Sequence, residues 1–194
     1  MPRLFTALEI PSQIGDGLSL MRGGLSGARW MDPENYHVTL RFIGDVDDAK
    51  ARDIALMLGQ VRRRAFEMSL GGLDQFGGHK PRVIYASVRP NPALLELQAE
   101  HERIMQRLGL PAERNYKPHV TLARLRDTSS RQVADYLATR GFFRSESFLA
   151  TRFVLFSSRD SVGGGPYVEE AAYPLAGGAA MRLAMPVGHP ISFV

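Results

Sequence analysis

The chain has 194 residues, carries 24 Lys and Arg against 20 Asp and Glu for a formal charge of +4, is 44% hydrophobic, and contains no cysteine. Such a length is enough to bury roughly 70% of the unfolded surface in a real core, and the composition is that of a globular chain and not a disordered one. Disulfides, thiolate nucleophiles and cysteine-ligated zinc are excluded. No run approaches the ~18 apolar residues of a membrane span, and Met1-Pro2-Arg3 leads directly into strand-like sequence without a signal-peptide pattern, so a cytoplasmic protein is expected. The pI near 9.7 biases the surface mildly toward anionic partners.

Leu4 to Ile10 reads as a first strand, and Pro11-Ser12 as a turn with Ser12 at a helix N-cap. A short helix follows on Ile14, Leu18 and Met21 and stops at Gly23-Gly24. Arg29 to Met31 is extended, and Asp32-Pro33-Glu34-Asn35 turns the chain into a strand over Tyr36 to Phe42 that Gly44-Asp45 closes. Asp47 caps a helix to about Arg64, with Ile54, Met57, Leu58 and Val61 on its buried stripe.

Phe66 to Leu70 is strand-like and gives way to a glycine-rich loop containing Gly71-Gly72 and Gly77-Gly78-His79-Lys80-Pro81. Arg82 to Val88 is again a strand. The clearest helix begins at Asn91 as cap, with Pro92 at its first position, and carries Leu94, Leu97, Ile104, Met105 and Leu108 until Gly109. A second strand of the first kind starts at His119 and ends near Arg126. Thr128 or Ser129 caps a helix through Val133, Tyr136 and Leu137. Phe148 to Ser157 and Tyr167 to Leu175 are the last strands, joined by a turn at Ser161 to Pro166. Residues 1–176 thus form one domain, and 177–194 a tail without periodic pattern.

Two of these strands share a tetrapeptide. His37-Val38-Thr39-Leu40 returns unchanged as His119-Val120-Thr121-Leu122, 82 positions later (119 minus 37). With average residue usage, a chance second copy is on the order of one in several hundred or rarer. Period-2 alternation sets each His and Thr on one face, with Val and Leu turned into the core. The halves 3–70 and 82–157 each read strand, helix, His strand, helix, strand, which points to an internal duplication. Two opposed imidazoles, titrating near pH 6.5, suit general acid and base work on either side of one substrate.

Asp32-Pro33-Glu34-Asn35-Tyr36-His37-Val38-Thr39-Leu40-Arg41-Phe42-Ile43-Gly44 and Pro118-His119-Val120-Thr121-Leu122-Ala123-Arg124 resemble the paired signature motifs of the two-histidine phosphoesterase superfamily. Within it they most resemble the bacterial and archaeal RNA 2′,3′-cyclic phosphodiesterases, also known as 2′-5′ RNA ligases. The opening Arg3 to Leu8 and the strand Arg82 to Tyr85 fit the same pattern. The resemblance implies a bilobal α+β fold of pseudo-twofold symmetry, two antiparallel sheets flanking a central cleft, and helices on the outer faces. It implies metal-independent, cofactor-free opening of terminal 2′,3′-cyclic phosphates on RNA ends or nucleotides to 2′-phosphates. By it His37 is the proton donor and His119 the proton acceptor, Thr39 and Thr121 hold the phosphoryl oxygens, and Arg124 binds phosphate. A monomer is expected.

Alternation alone turns Arg124 away from His119 and Thr121, so only a bulge or the strand end brings it to phosphate. It puts Arg41 on the face of His37 and Thr39, as a cleft residue or a charge paired at the rim. Tyr85, Phe5 and Tyr116 are either base platforms or core. His79, Lys80 and Arg82 either touch an RNA backbone or lie in solvent. His101, in Glu100-His101-Glu102-Arg103, is expected on the surface. The same motifs leave open 2′-5′ RNA ligation, hydrolysis of another small cyclic phosphate, or an RNA- or nucleotide-binding module without catalysis. No HExxH pattern or P-loop supports a metal or triphosphate site.

Overall fold

The structure is a computed structural model that describes residues 3–158 and 167–177; the turn expected at Ser161 to Pro166 and the tail from 178 onward lie outside the described residues. In chain order the elements are β1 (Arg3–Glu9), α1 (Ser12–Ser19), β2 (Ala28–Trp30), a 3-10 turn (Pro33–Asn35), β3 (His37–Asp45), α2 (Asp48–Leu58), β4 (Phe66–Met68) and β5 (Leu70–Phe76). They continue with β6 (Val83–Val88), α3 (Pro92–Arg107), β7 (His119–Leu125), α4 (Ser130–Arg140), β8 (Phe148–Ala150), β9 (Arg152–Ser158) and β10 (Tyr167–Pro174). The fold is α+β.

The expectation of two separate sheets does not hold. Seven strands run in the order β10-β9-β1-β3-β7-β6-β5, with β2 added against β7, and β4 and β8 form a small second sheet. All these pairings are antiparallel. The two halves of the large sheet meet at β3 and β7 through the single register pair Val38 with Val120. Beyond it the strands part, and the His-bearing face opens into a groove.

Local chemistry fixes the helices that back this sheet. Asp47 accepts a hydrogen bond from Lys50 N at 2.7 Å to start α2, and Asn91 accepts one from Leu94 N at 3.1 Å, with Pro92 at the first turn of α3. Ser129 and Gln132 form a capping box on α4. Pro11, not Ser12, occupies the cap of α1. Helix α2 ends at Leu58 instead of near Arg64, because the backbone that follows is taken elsewhere: Ala65 N donates to Ala176 O, and Ala176 N donates to Arg63 O. Gly71 and Gly72 are not loop but strand, with Gly72 at φ +84° where the β5–β6 register slips. Thr151 splits the expected strand at 148–157 into β8 and β9.

On the side of the sheet away from the groove, Leu4, Leu8, Val38, Leu40, Val120 and Leu122 are fully buried, as are Leu94, Leu97 and Met105 of α3. Each such side chain is worth ~1.5–3 kcal/mol of hydrophobic stabilisation, so the strands that carry the motif are clamped by their own Val and Leu residues.

Candidate active site

The Val and Leu of each motif anchor their strand from behind, which leaves His37, Thr39, His119 and Thr121 on the open face, all half-buried. They line one cleft of about 550 Å³ together with Arg3, Phe5, Met31, Phe42, Arg124, Ser158 and Tyr167. Of these, Arg3, Met31, Phe42, Ser158 and Tyr167 were not legible as site residues. Arg3 and Phe42 carried a signal, their places in the opening segment and in the first motif strand.

Both histidines are held the same way. His37 Nδ1 lies 2.8 Å from the carbonyl oxygen of Asn35, and His119 Nδ1 lies 2.7 Å from that of Lys117. A carbonyl only accepts, so each Nδ1 carries the proton and each neutral ring keeps its lone pair on Nε2. Aromatic rings brace the imidazoles from the side. His37 packs on Phe5 at 5.0 Å and edge-on to Tyr167 at 5.2 Å; His119 packs on Phe76 at 4.9 Å and Tyr85 at 5.2 Å.

Burial holds the His37 pKa down at about 4, the Asn35 carbonyl raises it, and the charges of His119 and Arg124 lower it further. All three groups line the same cleft. The His119 pKa is also lowered, first by burial and then by Lys117, against the stabilising Lys117 carbonyl. Near neutral pH the cleft therefore presents two neutral imidazoles, and a phosphate anion beside them favours protonation of either.

Arg124 reaches this face because β7 is bulged. Thr121 pairs with Tyr85 and Ala123 with Ile84, so Leu122 is an extra residue and the alternation inverts after it. The same slip occurs in β3, where Thr39 pairs with Ala7 and Arg41 with Thr6, leaving Leu40 as the extra residue. There the inversion removes Arg41 from the cleft and brings Phe42 in.

Comparison with known proteins decides the family. A model described as LigT like Phosphoesterase matches residues 8–85 and 88–167. The chain belongs to the LigT-like phosphoesterase family. It is 29% identical to the RNA 2′,3′-cyclic phosphodiesterase of Archaeoglobus fulgidus over 150 residues, covering 75% of this chain and 83% of that one. It is also 29% identical to the enzyme of that name from Escherichia coli K12, covering 80% of this chain and 86% of that one. The crystal structure of E. coli LigT complexed with 3′-AMP superposes with a TM-score of 0.73 at 25% identity, over 91% of this chain and 99% of that one.

In this LigT-like phosphoesterase Arg41, Tyr85, Tyr116 and Phe5, left open between the cleft and a structural place, take mainly the structural one, and His101 stands elsewhere than expected. Arg41 is not a cleft residue: it is buried, its Nε 2.6 Å from Glu102 and its Nη1 3.7 Å from Glu113, and it donates to the carbonyls of Phe42 and Pro111. It ties β3 to α3 and to the loop that leads into β7. Tyr85 is fully buried and is no open base platform; it stacks on Phe76 at 4.1 Å, donates to Asp74 at 3.0 Å, and lies under the Lys117 ammonium. Tyr116 donates to Thr39 O at 2.9 Å and so steadies the first motif strand. His101 is not on the surface but fully buried, 2.9 Å from Thr6 Oγ1 and edge-on to Phe153. Phe5 lines the cleft but is 4% exposed, so it props His37 more than it offers a face to a base.

Proposed function

We propose that the chain is an RNA 2′,3′-cyclic phosphodiesterase that opens a terminal cyclic phosphate to a 2′-phosphate. His119 Nε2 takes a proton from water, the water oxygen bonds to phosphorus, the bond from phosphorus to O3′ breaks, and protonated His37 Nε2 delivers a proton to O3′. Thr39 and Thr121 donate to the non-bridging oxygens, and Arg124 offsets the negative charge that grows on them. General acid and general base catalysis each supply typically ~10²–10⁴-fold.

The observation that carries this reading is the matched tethering of the two rings, each fixed through Nδ1 by a carbonyl two residues upstream so that Nε2 is free over a shared cleft. The names of the relatives and the E. coli LigT complex with 3′-AMP support the choice of a nucleotide phosphate as ligand. Which imidazole donates and which accepts rests on the resemblance, since the two are held alike. The direction is testable with a cyclic phosphate whose bridging 3′ oxygen is sulfur. Thiolate leaves without a proton, and such a substrate restores turnover to His37→Ala but not to His119→Ala.

The same reading makes the two halves an internal duplication about a pseudo-twofold axis. Two consecutive matches of one family model and the matching leucine bulges support it. It also has the protein acting as a cytoplasmic monomer without a metal. Product analysis tests the reading: an oligonucleotide ending in 2′,3′-cyclic phosphate, incubated with protein and excess chelator, yields a 2′-phosphate end. A 3′-phosphate product, or no product, would overturn it.

A further inference from the structure

A second groove, of about 690 Å³, adjoins the cleft and shares Arg124 with it. Its walls come from the β5–β6 turn, which supplies His79, Lys80 and Arg82, and from the end of β7 and the turn after it, which supply Arg126 and Asp127. Lys80, Arg82, Arg124 and Arg126 are all exposed. None of the four sits in an ion pair among the described residues, whereas six other cations do. Four unneutralised cations against one carboxylate repel each other, and the fold holds them together by main-chain bonds. Arg82 N donates to Phe76 O and Leu125 N to Arg82 O at 2.7 and 2.8 Å, while Arg126 N donates to Gly27 O at 2.9 Å. On the other side of Arg124, in β2, its cross-strand partner is Arg29, which is also exposed and shares its face.

We infer that this groove binds the sugar-phosphate backbone of a single-stranded RNA on the 5′ side of its reacting end, so that the chain prefers RNA ends to cyclic mononucleotides. The inference rests on the phosphodiesterase reading for the polarity of the strand. Its chemistry is that of a phosphate track: four cations line a groove that adjoins the catalytic cleft at Arg124, with no Phe, Tyr or Trp among the lining residues to stack a base. Recognition there is by charge and therefore independent of base sequence.

The test is the triple variant Lys80→Ala, Arg82→Ala, Arg126→Ala, none of which lines the catalytic cleft. On an oligonucleotide ending in 2′,3′-cyclic phosphate, kcat/KM is expected to fall at least about tenfold. On a cyclic mononucleotide it stays within about twofold of the parent. The slope of log kcat/KM against log salt for the oligonucleotide flattens by about 2, at ~0.7 per lost contact on a single strand. Equal activity of parent and variant on the oligonucleotide, or an equal loss on both substrates, overturns the inference. A binding arm is independent of catalysis: anisotropy of a labelled oligonucleotide ending in a 2′-phosphate rises at concentrations about tenfold higher for the variant. Unchanged affinity overturns the groove even if the parent hydrolyses nothing, and absence of hydrolysis with weakened binding overturns only the phosphodiesterase reading.

Discussion

Phe42 and Arg124 stand in matching places: each follows its strand's histidine by five residues (42 minus 37, 124 minus 119), and each enters the cleft past a bulge at a leucine, Leu40 or Leu122. One position carries an exposed ring and the other a guanidinium. The two motif strands are therefore bent alike and differ in what the matching position presents to the cleft.

That difference separates two kinetic effects. Arg124→Ala is expected to lower kcat/KM by about 100-fold, the loss typical of one preorganised charge-stabilising donor, with Arg124→Lys recovering part of it. Phe42, 48% exposed at the cleft wall, offers an open ring face on which a base is expected to stack. Phe42→Ala is expected to raise KM several-fold and leave kcat within about threefold. Steady-state kinetics on one cyclic nucleotide decide both, and a larger kcat loss at Phe42 than at Arg124 would invert the assignment.

The pH dependence follows from the same cleft. Productive free protein needs one imidazole charged and the other neutral, with His37 at about 4 and His119 below its usual 6.5. The kcat/KM profile is therefore a bell with its maximum on the acid side of pH 6.5. Bound phosphate raises both pKa values, so the maximum of kcat lies at higher pH than that of kcat/KM. A kcat/KM maximum above pH 7.5 would contradict the electrostatics.

His101 makes stability depend on acidity. Burial holds its pKa at about 3, against about 6.5 when unfolded. Between those values the unfolded chain binds more protons, so the contribution is complete above pH 6.5 and is lost as pH falls toward 3. Between pH 7 and pH 5 this group alone removes about 2 kcal/mol. Urea unfolding is expected to show the parent losing about 2 kcal/mol more over that interval than His101→Gln does. Parallel losses would place the acid sensitivity elsewhere.

The repeated motif, the resemblance it carries, and the capped helix α3 were readable because each rests on local pattern. What escaped was non-local or one residue wide. A bulge at Leu40 leaves no mark in an alternating sequence, yet it moves Arg41 from cleft to core and Phe42 from core to cleft. The requirement that Arg124 needs a bulge was visible; the bulge itself was not. Gly71 and Gly72 resemble loop because glycines weaken a strand, but they form the bulge between Leu70 and Leu73, which pair with β6, and they bond instead to the 143–144 segment, with Gly72 N donating to Phe143 O. His101 has charged neighbours that read as a wet face, although it lies four residues after Leu97 and three before Ile104, on the buried stripe of α3. Spacing carried that answer, and polarity hid it.

The decisive measurement is the turnover of a 2′,3′-cyclic nucleotide by His37→Ala and His119→Ala, with folding checked by circular dichroism and thermal unfolding. Two rings acting as acid and base on one phosphorus require each substitution alone to cost about 100-fold or more in a folded protein, and the pair to cost much less than the product of the two. A loss of only tenfold at either histidine, or two losses that multiply, would contradict it.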